Sequence, residues 1–393
     1  MTPHEEHWLA LRLVEGLGAK TMARLLEHYQ TIEAIGEATA TDLTRNCGVR
    51  PDLAERIAAA REHPSLDAEK ALLHRHGAVL LPQDHSAYPA RLLEIGLAPT
   101  VLYCRAAAFD QGESALPSGP VLAVVGTRVS SRYGEKTTRL LIEGLARLRP
   151  DTVILSGLAR GIDTIAHDQA LACGLATIAV LGTGLARIYP PENADLAERI
   201  VAQGALISEF PMSEGPRARN FPIRNRILSA MADAVFVVEA GDRSGALITA
   251  GFALTHGRPV LALPGNVDLP GSLGTNRLIR SGEAALVQSA EDLARALLPS
   301  PAPRPTQLDW FTPQNPADPI PPQPTPAPPS PRAPSALQGD KGRIIAALRA
   351  GPLHPDDLSG ETGVSIGKLV GLLLELELSG DIVQTAENHY ALA

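Results

Sequence analysis

Val121-Leu-Ala-Val-Val-Gly-Thr-Arg-Val-Ser-Ser-Arg-Tyr-Gly134 decides the fold. Val121–Val125 is a short apolar run rich in β-branched residues, the pattern of a strand buried on both faces. Gly126 then lets the backbone come close to a ligand, and the helix that follows turns its N-terminus toward the loop, where backbone N–H groups and the helix dipole favour an anion. Arg128 and Arg132 are placed to add positive charge. The same strand–loop–helix unit recurs down the chain. Further strands are expected at Thr152-Val-Ile-Leu155, Thr177-Ile-Ala-Val-Leu181, Ala205-Leu-Ile207, Ala234-Val-Phe-Val-Val238 and Val260-Leu-Ala-Leu263. Alternating strands and helices over residues 76–298 predict an α/β fold, a Rossmann-like doubly wound sheet with ligands at the C-terminal strand ends.

The loops after these strands carry the chemistry. Ser156-Gly-Leu-Ala-Arg-Gly-Ile-Asp163 leads into a helix that places Asp163 and His167 one turn apart, as an acid/base pair or as a hydrogen-bonded structural pair. Gly182-Thr-Gly184 follows the next strand. Pro264–Asn276 is Gly-rich and opens onto a helix with Arg277 and Arg280. No G-x-G-x-x-G run follows the first strand, so a dinucleotide fingerprint is absent there. The most charged segment runs from Gly215 to Leu228. Arg217, Arg219, Arg224 and Arg226 surround one aromatic, Phe221, with no carboxylate between Glu214 and Asp233. Guanidinium groups beside a ring suit a single-stranded nucleic acid, neutralising phosphates while the ring stacks any base. The same pattern also fits a core Phe221 beneath a solvated arginine face.

The flanks differ from this middle. Residues 1–75 read as a helical domain of helix–hairpin–helix (SAM-like) type. Val14–Leu26 supplies the first hairpin, with Gly16 and Gly18 in the turn and Ala23, Leu25 and Leu26 facing the partner helix. Cys47–Arg56 supplies a weaker second copy. Between Pro301 and Pro334 lie 14 of the 34 prolines, so residues 299–339 read as an extended linker. Trp310 and Phe311 sit within it, as residues packed on a neighbouring domain or as a docking motif. Residues 340–393 read as a winged helix, with helices at Arg343–Ala350, from His354, and from Ser365. The third helix carries Leu369, Leu372, Leu373 and Leu376 on one face, and Ile382–Gln384 pairs with Tyr390–Leu392. Lys368 is the one base of that third helix, so contact with protein is as plausible a role as reading DNA.

Composition bounds the rest. Net charge is −8 over 393 residues, so nucleic-acid binding requires the positive charge to be gathered on one face. Cys47, Cys104 and Cys173 are isolated and odd in number, which argues for a reducing compartment and against a disulfide framework or a zinc site. Neither a secretory signal nor a membrane span is evident, so the expected location is cytoplasmic.

An ordered set of motifs resembles the DNA-processing protein A (DprA, also Smf) family. These are Gly126-Thr-Arg128, Ser156-Gly157 with Ala159–Asp163 and Ala166-His167, Thr177–Gly184, Tyr189-Pro190 with Asn193, and Ser208-Glu209. Phe221-Pro-Ile-Arg-Asn-Arg-Ile227, Val238-Glu-Ala240, Ser244–Ala250 and Pro264-Gly265 continue the order, and Tyr88–Leu92 and Pro99–Tyr103 lie upstream. The resemblance is dense over about residues 80–285. It implies a homodimeric protein of natural transformation and recombination that protects incoming single-stranded DNA and loads RecA recombinase onto it, without catalytic residues, metal or cofactor. It implies DNA-binding roles for Arg128 in its Gly126-Thr127-Arg128 loop, for Phe221 as the stacking ring, and for Arg224, Asn225 and Arg226; Arg132 joins the expected DNA-binding set by its charge and position. The family's lysine before the phenylalanine is replaced here by Arg217 or Arg219. Ala246–Leu254 and Gly282–Leu297 are the candidate dimer segments. The rival is a Rossmann-like nucleotide hydrolase, because Pro264-Gly265 with Gly274-Thr275 matches such a loop. There, however, Asn276 and Arg277 stand where the catalytic glutamate belongs, and Glu283 lies seven residues beyond Asn276.

Overall fold

The computed structural model describes residues 1–110, 116–298, 339–385 and 389–393. Trp310, Phe311 and nearly all of the proline-rich stretch lie outside them. The N-terminal domain holds α1 (Pro3–Leu13), α2 (Ala19–Tyr29), α3 (Ile32–Glu37), α4 (Ala40–Cys47), α5 (Pro51–Ala58) and α6 (Leu66–Arg75). Gly16 and Gly48 adopt positive φ at the two expected turns, where a β-carbon would be strained. The details differ from expectation. The tightly packed hairpin is α4–α5, whereas α1 packs on α3. Ala23 faces solvent, and Met22 and Leu25 are the buried residues of α2, because the helix turns toward α3 and α4.

The sheet begins with β1 (Val79–Pro82), followed by α7 (Ala90–Leu93), β2 (Val101–Arg105) and α8 (Ala107–Asp110). Then come β3 (Val121–Val125), α9 (Arg132–Leu148), β4 (Val153–Ser156), α10 (Ile162–Ala172), β5 (Thr177–Leu181), α11 (Ala194–Gln203) and β6 (Ala205–Ser208). After α12 (Asn220–Met231) and β7 (Ala234–Val237), α13 (Gly245–Thr255), β8 (Val260–Ala262), α14 (Leu273–Arg280), β9 (Ala285–Leu286) and α15 (Ala290–Ala296) complete the domain. The strand order is β1-β2-β6-β5-β4-β3-β7-β8-β9. All six expected strands form, within a residue or two of the expected ends, and pair in parallel. Three strands were not anticipated. β1 and β2 add an antiparallel edge to β6, and β9 has only two residues. Their runs are too short and too mixed to stand out from loop.

The path matters for the site. From β3 the chain builds β4, β5 and β6 on one side, then crosses to β7, β8 and β9 on the other. Loops leaving β3 and β7 therefore diverge to opposite faces and open a crevice between them. The residues facing both helical layers are apolar, so the strands that support this crevice are buried over nearly their whole length.

The C-terminal domain contains α16 (Asp340–Leu348), α17 (Pro355–Thr362), α18 (Ile366–Leu378), β10 (Ile382–Gln384) and β11 (Tyr390–Leu392). Leu369, Leu372, Leu373 and Leu376 are buried in its core. Lys368 is paired with Asp340 at 2.7 Å. The opposite face of α18 packs against α13 of the Rossmann-like domain. Gly371 and Gly251 permit the approach, since a β-carbon on Gly371 would lie 3.1 Å from the Gly251 carbonyl carbon. Glu375 closes the contact, 2.6 Å from Lys341 and 3.5 Å from His256. One of the two candidate dimer segments, Ala246–Leu254, is therefore covered from outside by α18. Gly371→Leu is expected to separate the two domains, because the added side chain must displace backbone. Faster hydrogen exchange across α13, with exchange in the winged-helix core unchanged, is the expected result.

Candidate nucleic-acid interface

A cavity of about 840 Å³ fills the crevice at the switch point. Its walls come from the β3–α9 loop (Gly126, Thr127, Arg128), the loop after β4 (Ala159), the first turn of α10 (Asp163) and the start of α12 (Phe221, Arg224, Asn225). The β7–α13 loop adds Arg243, Ser244 and Gly245, and Tyr189 closes one side. The β3–α9 loop is held from behind. A β-carbon on Gly126 would sit 2.6 Å from Ile162, so only glycine allows this packing. Thr127 N–H donates to the Glu239 carbonyl at 2.8 Å, and Ile162 N–H to the Thr127 carbonyl at 3.2 Å. The Glu239 carboxylate accepts from Ser131 N–H at 3.0 Å and from its hydroxyl. The loop is thereby fixed while Arg128 stays exposed.

Phe221 lies against the Gly182 backbone, where a β-carbon would come within 2.8 Å of the ring. The guanidinium carbon of Arg128 stands 5.2 Å from the ring centroid, within cation–π range. The Tyr189 ring is 5.9 Å away and tilted by 47°. Two aromatics and a free arginine thus share one corner. Tyr189 and Arg243 are pocket residues that sequence reasoning did not select. The Tyr-Pro pair and the position of Arg243 just before the Ser244 cap were the available signals. Ser244 accepts from Ala246 N–H at 3.3 Å, which leaves the positive end of α13 facing the cavity.

The arginines divide by role. Arg224 is buried and lines the cavity floor. It donates to the carbonyls of Gly157, at 2.7 Å, and Val180, and to Asn225 Oδ1 at 3.0 Å. Burial lowers its pKa to about 10, although the charge of Asp163 opposes that fall. Arg226 points away from the cavity and pairs with Glu209, both side chains over nine-tenths buried. Asn225 donates to the Gly245 carbonyl at 3.3 Å and so holds the start of α13. The pattern of a uniformly solvated arginine face does not form, because α12 drives two of its arginines into the protein. Arg217 is exposed and bound to Glu214 at 2.9 Å. Arg219 is exposed at the rim. Arg132, at the start of α9, is exposed and stands outside the cavity lining.

Asp163 and His167 do not meet as an acid/base pair. Asp163 accepts from Gly157 N–H at 3.2 Å and Ala159 N–H at 3.3 Å. Burial raises its pKa, against the charge of Arg224. His167 is buried beneath, 2.7 Å from the Thr177 hydroxyl, and burial lowers its pKa to about 3. The hydrolase-like loop is likewise structural. Asn276 exchanges two hydrogen bonds with the Gly265 backbone at 3.1 and 3.0 Å, and Arg277 pairs with Asp242 at 3.1 Å. Asp163 is the one carboxylate among the described residues that line the cavity.

Fold and site together define a Rossmann-like protein with a basic, aromatic-walled cavity at a topological switch point. Residues 79–298 match the model of the DNA recombination-mediator protein A family, and residues 328–388 match the DprA winged helix domain. The chain belongs to this DprA/Smf family. It is 33% identical to protein Smf of Synechocystis sp., with 98% of each chain covered. It is 40% identical to protein Smf of Escherichia coli, covering 74% of this chain and 75% of that one. The solved structure of DNA processing protein A from Streptococcus pneumoniae superposes with a TM-score of 0.62 at 33% identity, covering 75% of this chain and 98% of that one.

The geometry fixes the expected stability of three variants. Arg224→Ala is expected to cost about 3 kcal/mol, since it strips a buried carboxylate of its countercharge. Arg128→Ala should cost less than about 0.5 kcal/mol, as an exposed substitution. Urea unfolding separates the two. His167 favours its neutral form on folding, so its contribution is complete above pH 6.5 and is lost as pH falls toward 3. In His167→Gln the decline of stability between those pH values is expected to be shallower, by up to about 1.4 kcal/mol per pH unit.

Proposed function

We propose that the chain binds single-stranded DNA in the switch-point cavity and passes it to a RecA-type recombinase. The observation that carries this reading is the convergence of Arg128, Phe221 and Tyr189 beside the N-terminus of α13. Arg128 and Arg243 supply exposed guanidinium groups for phosphates, and Arg217 and Arg219 extend the positive rim. Gly126 and Thr127 bring backbone close to the strand. Arg132, exposed at the start of α9, adds positive charge outside the cavity lining. Arg224, Asn225 and Arg226 act from beneath, by fixing α12 and α13. Phe221 and Tyr189 offer faces on which any base stacks, at about 1–3 kcal/mol per base. This chemistry needs no turnover, cofactor or metal.

The family's description as a recombination mediator, and the name DNA processing protein among its relatives, support a place in natural transformation and hand-over to a recombinase. A cytoplasmic location follows from that role. Among the described residues no helix is long and apolar enough to cross a membrane. A homodimer formed through Gly282–Leu297 agrees with the exposed Leu286 on the edge strand β9, since α18 covers the other candidate.

Anisotropy titration of a labelled oligothymidine and of its duplex across a salt series tests the reading. Arg128→Ala and Arg243→Ala are each expected to lessen the slope of log K against log salt by about one unit. Phe221→Ala should weaken single-strand binding about tenfold or more at unchanged slope. Wild-type binding by all three variants would place the strand elsewhere.

A further inference from the structure

None of the residues lining the cavity comes from the N-terminal helical domain, yet that domain grips the segment that builds the cavity. Residues 209–219, between β6 and α12, have neither helix nor strand. Irregular backbone of this length keeps its shape only where its N–H and C=O groups are tied down. Two of the ties come from outside the Rossmann-like domain. Arg12 on α1 donates from Nε and Nη2 to the Glu209 carbonyl, at 3.0 and 2.6 Å. Glu69 on α6 is 3% exposed and accepts from Met212 N–H. Burial pushes the Glu69 carboxyl pKa upward, and that hydrogen bond opposes the shift.

From these anchors the connection to the pocket is short. The Glu209 carboxylate pairs with Arg226 of α12. Met212 and Glu214 accept from Ala186 and Gly184 N–H groups, at 3.1 and 2.9 Å, which joins this segment to the loop bearing Gly182 and Tyr189. The Glu214 carboxylate then takes Arg217 at 2.9 Å and Asn220 at 3.1 Å. Asn220 opens α12, and Phe221 follows it. The two loops that present Phe221 and Tyr189 are thus joined to each other, and the joined pair is held from behind by Arg12 and Glu69.

We propose that Arg12 and Glu69 are positioning residues for DNA binding, which set the β6–α12 segment, and through it Phe221 and Arg217, without touching the strand. The inference rests on the single-strand reading of the pocket. Bonds that merely cemented two domains would stabilise the chain and leave DNA affinity alone. Bonds that pre-organise a binding segment lower the ordering cost of the complex.

The test uses the full chain, the labelled oligothymidine and the same salt series, well below the unfolding temperature. Arg12→Ala and Glu69→Ala are expected to bind about fivefold more weakly at unchanged salt slope, because ordering is lost and no phosphate contact is. Hydrogen exchange over residues 209–221 should quicken in both. Glu69→Gln keeps an acceptor for Met212 N–H and should bind as the wild type does. Arg12→Lys keeps the charge with a single donor group and should fall between wild type and alanine. It also serves if the alanine variants do not fold, and wild-type affinity in Arg12→Lys would then overturn the proposal. Alanine variants with lowered melting temperature but wild-type affinity would overturn it too. A slope reduced as in Arg128→Ala would overturn it by making Arg12 a phosphate contact. Wild-type binding by both Arg128→Ala and Phe221→Ala would sink the pocket reading itself, and this inference with it.

Discussion

The buried guanidinium of Arg224 is the constraint on which the site depends. It joins the carbonyl ends of β4 and β5 through Gly157 and Val180 and faces the buried carboxylate of Asp163. A charge removed from water needs full compensation, so this contact admits little freedom in where α12 lies. Phe221 sits one turn earlier on the same helix, and its ring is set on Gly182 as a consequence. Gly157 must be glycine for the same reason, since a β-carbon there would lie 2.3 Å from the guanidinium.

This arrangement explains how a chain of net charge −8 can present a basic pocket. Most carboxylates near the crevice are engaged by backbone or by arginines that do not face it, Glu214 with the exposed Arg217 being the exception. Asp163 is held by two N–H groups, Glu239 by Ser131, Glu209 by Arg226 and Asp242 by Arg277. Arg128 and Arg243 remain exposed above them, and the dipole of α13 adds to their field. The local potential is set by which charges are paired inward, so net charge says little about it.

Both terminal domains pack against elements that build the pocket. Docking of α18 on α13 places the third helix of the winged helix against protein, with Lys341, Glu375 and His256 at the seam. The face that reads DNA in other winged helices is here committed to an internal contact. The helical domain, for its part, holds the β6–α12 segment. The hairpin glycines Gly16 and Gly48 shape that domain, and its polar ties to the rest include Arg12, Glu69, His4 and Trp8 on Asp84, and Lys20, the last paired with Asp381 at 3.0 Å.

The sequence by itself determined the six parallel strands of the central sheet and marked the loops that follow them. Runs such as Val121–Val125 and Thr177–Leu181 are apolar on both faces, and only a covered parallel sheet buries them. Gly126-Thr-Arg128 and Phe221 are legible because a glycine, an arginine or a lone aromatic at a strand or helix end has few competing reasons to be there. The short antiparallel edge of β1 and β2 lacks such a pattern. Only the tertiary structure decided which arginines are free. Arg217, Arg219, Arg224 and Arg226 look alike in the chain, but the 3.6-residue turn of α12 sends Arg224 into the cavity floor and Arg226 to Glu209, while the preceding loop leaves Arg217, paired with Glu214, and Arg219 on the surface. Tyr189 and Arg243 joined the pocket for the complementary reason. Their neighbours in space lie tens of residues away in sequence, and proximity of that kind is set by the reversal of strand order at β3.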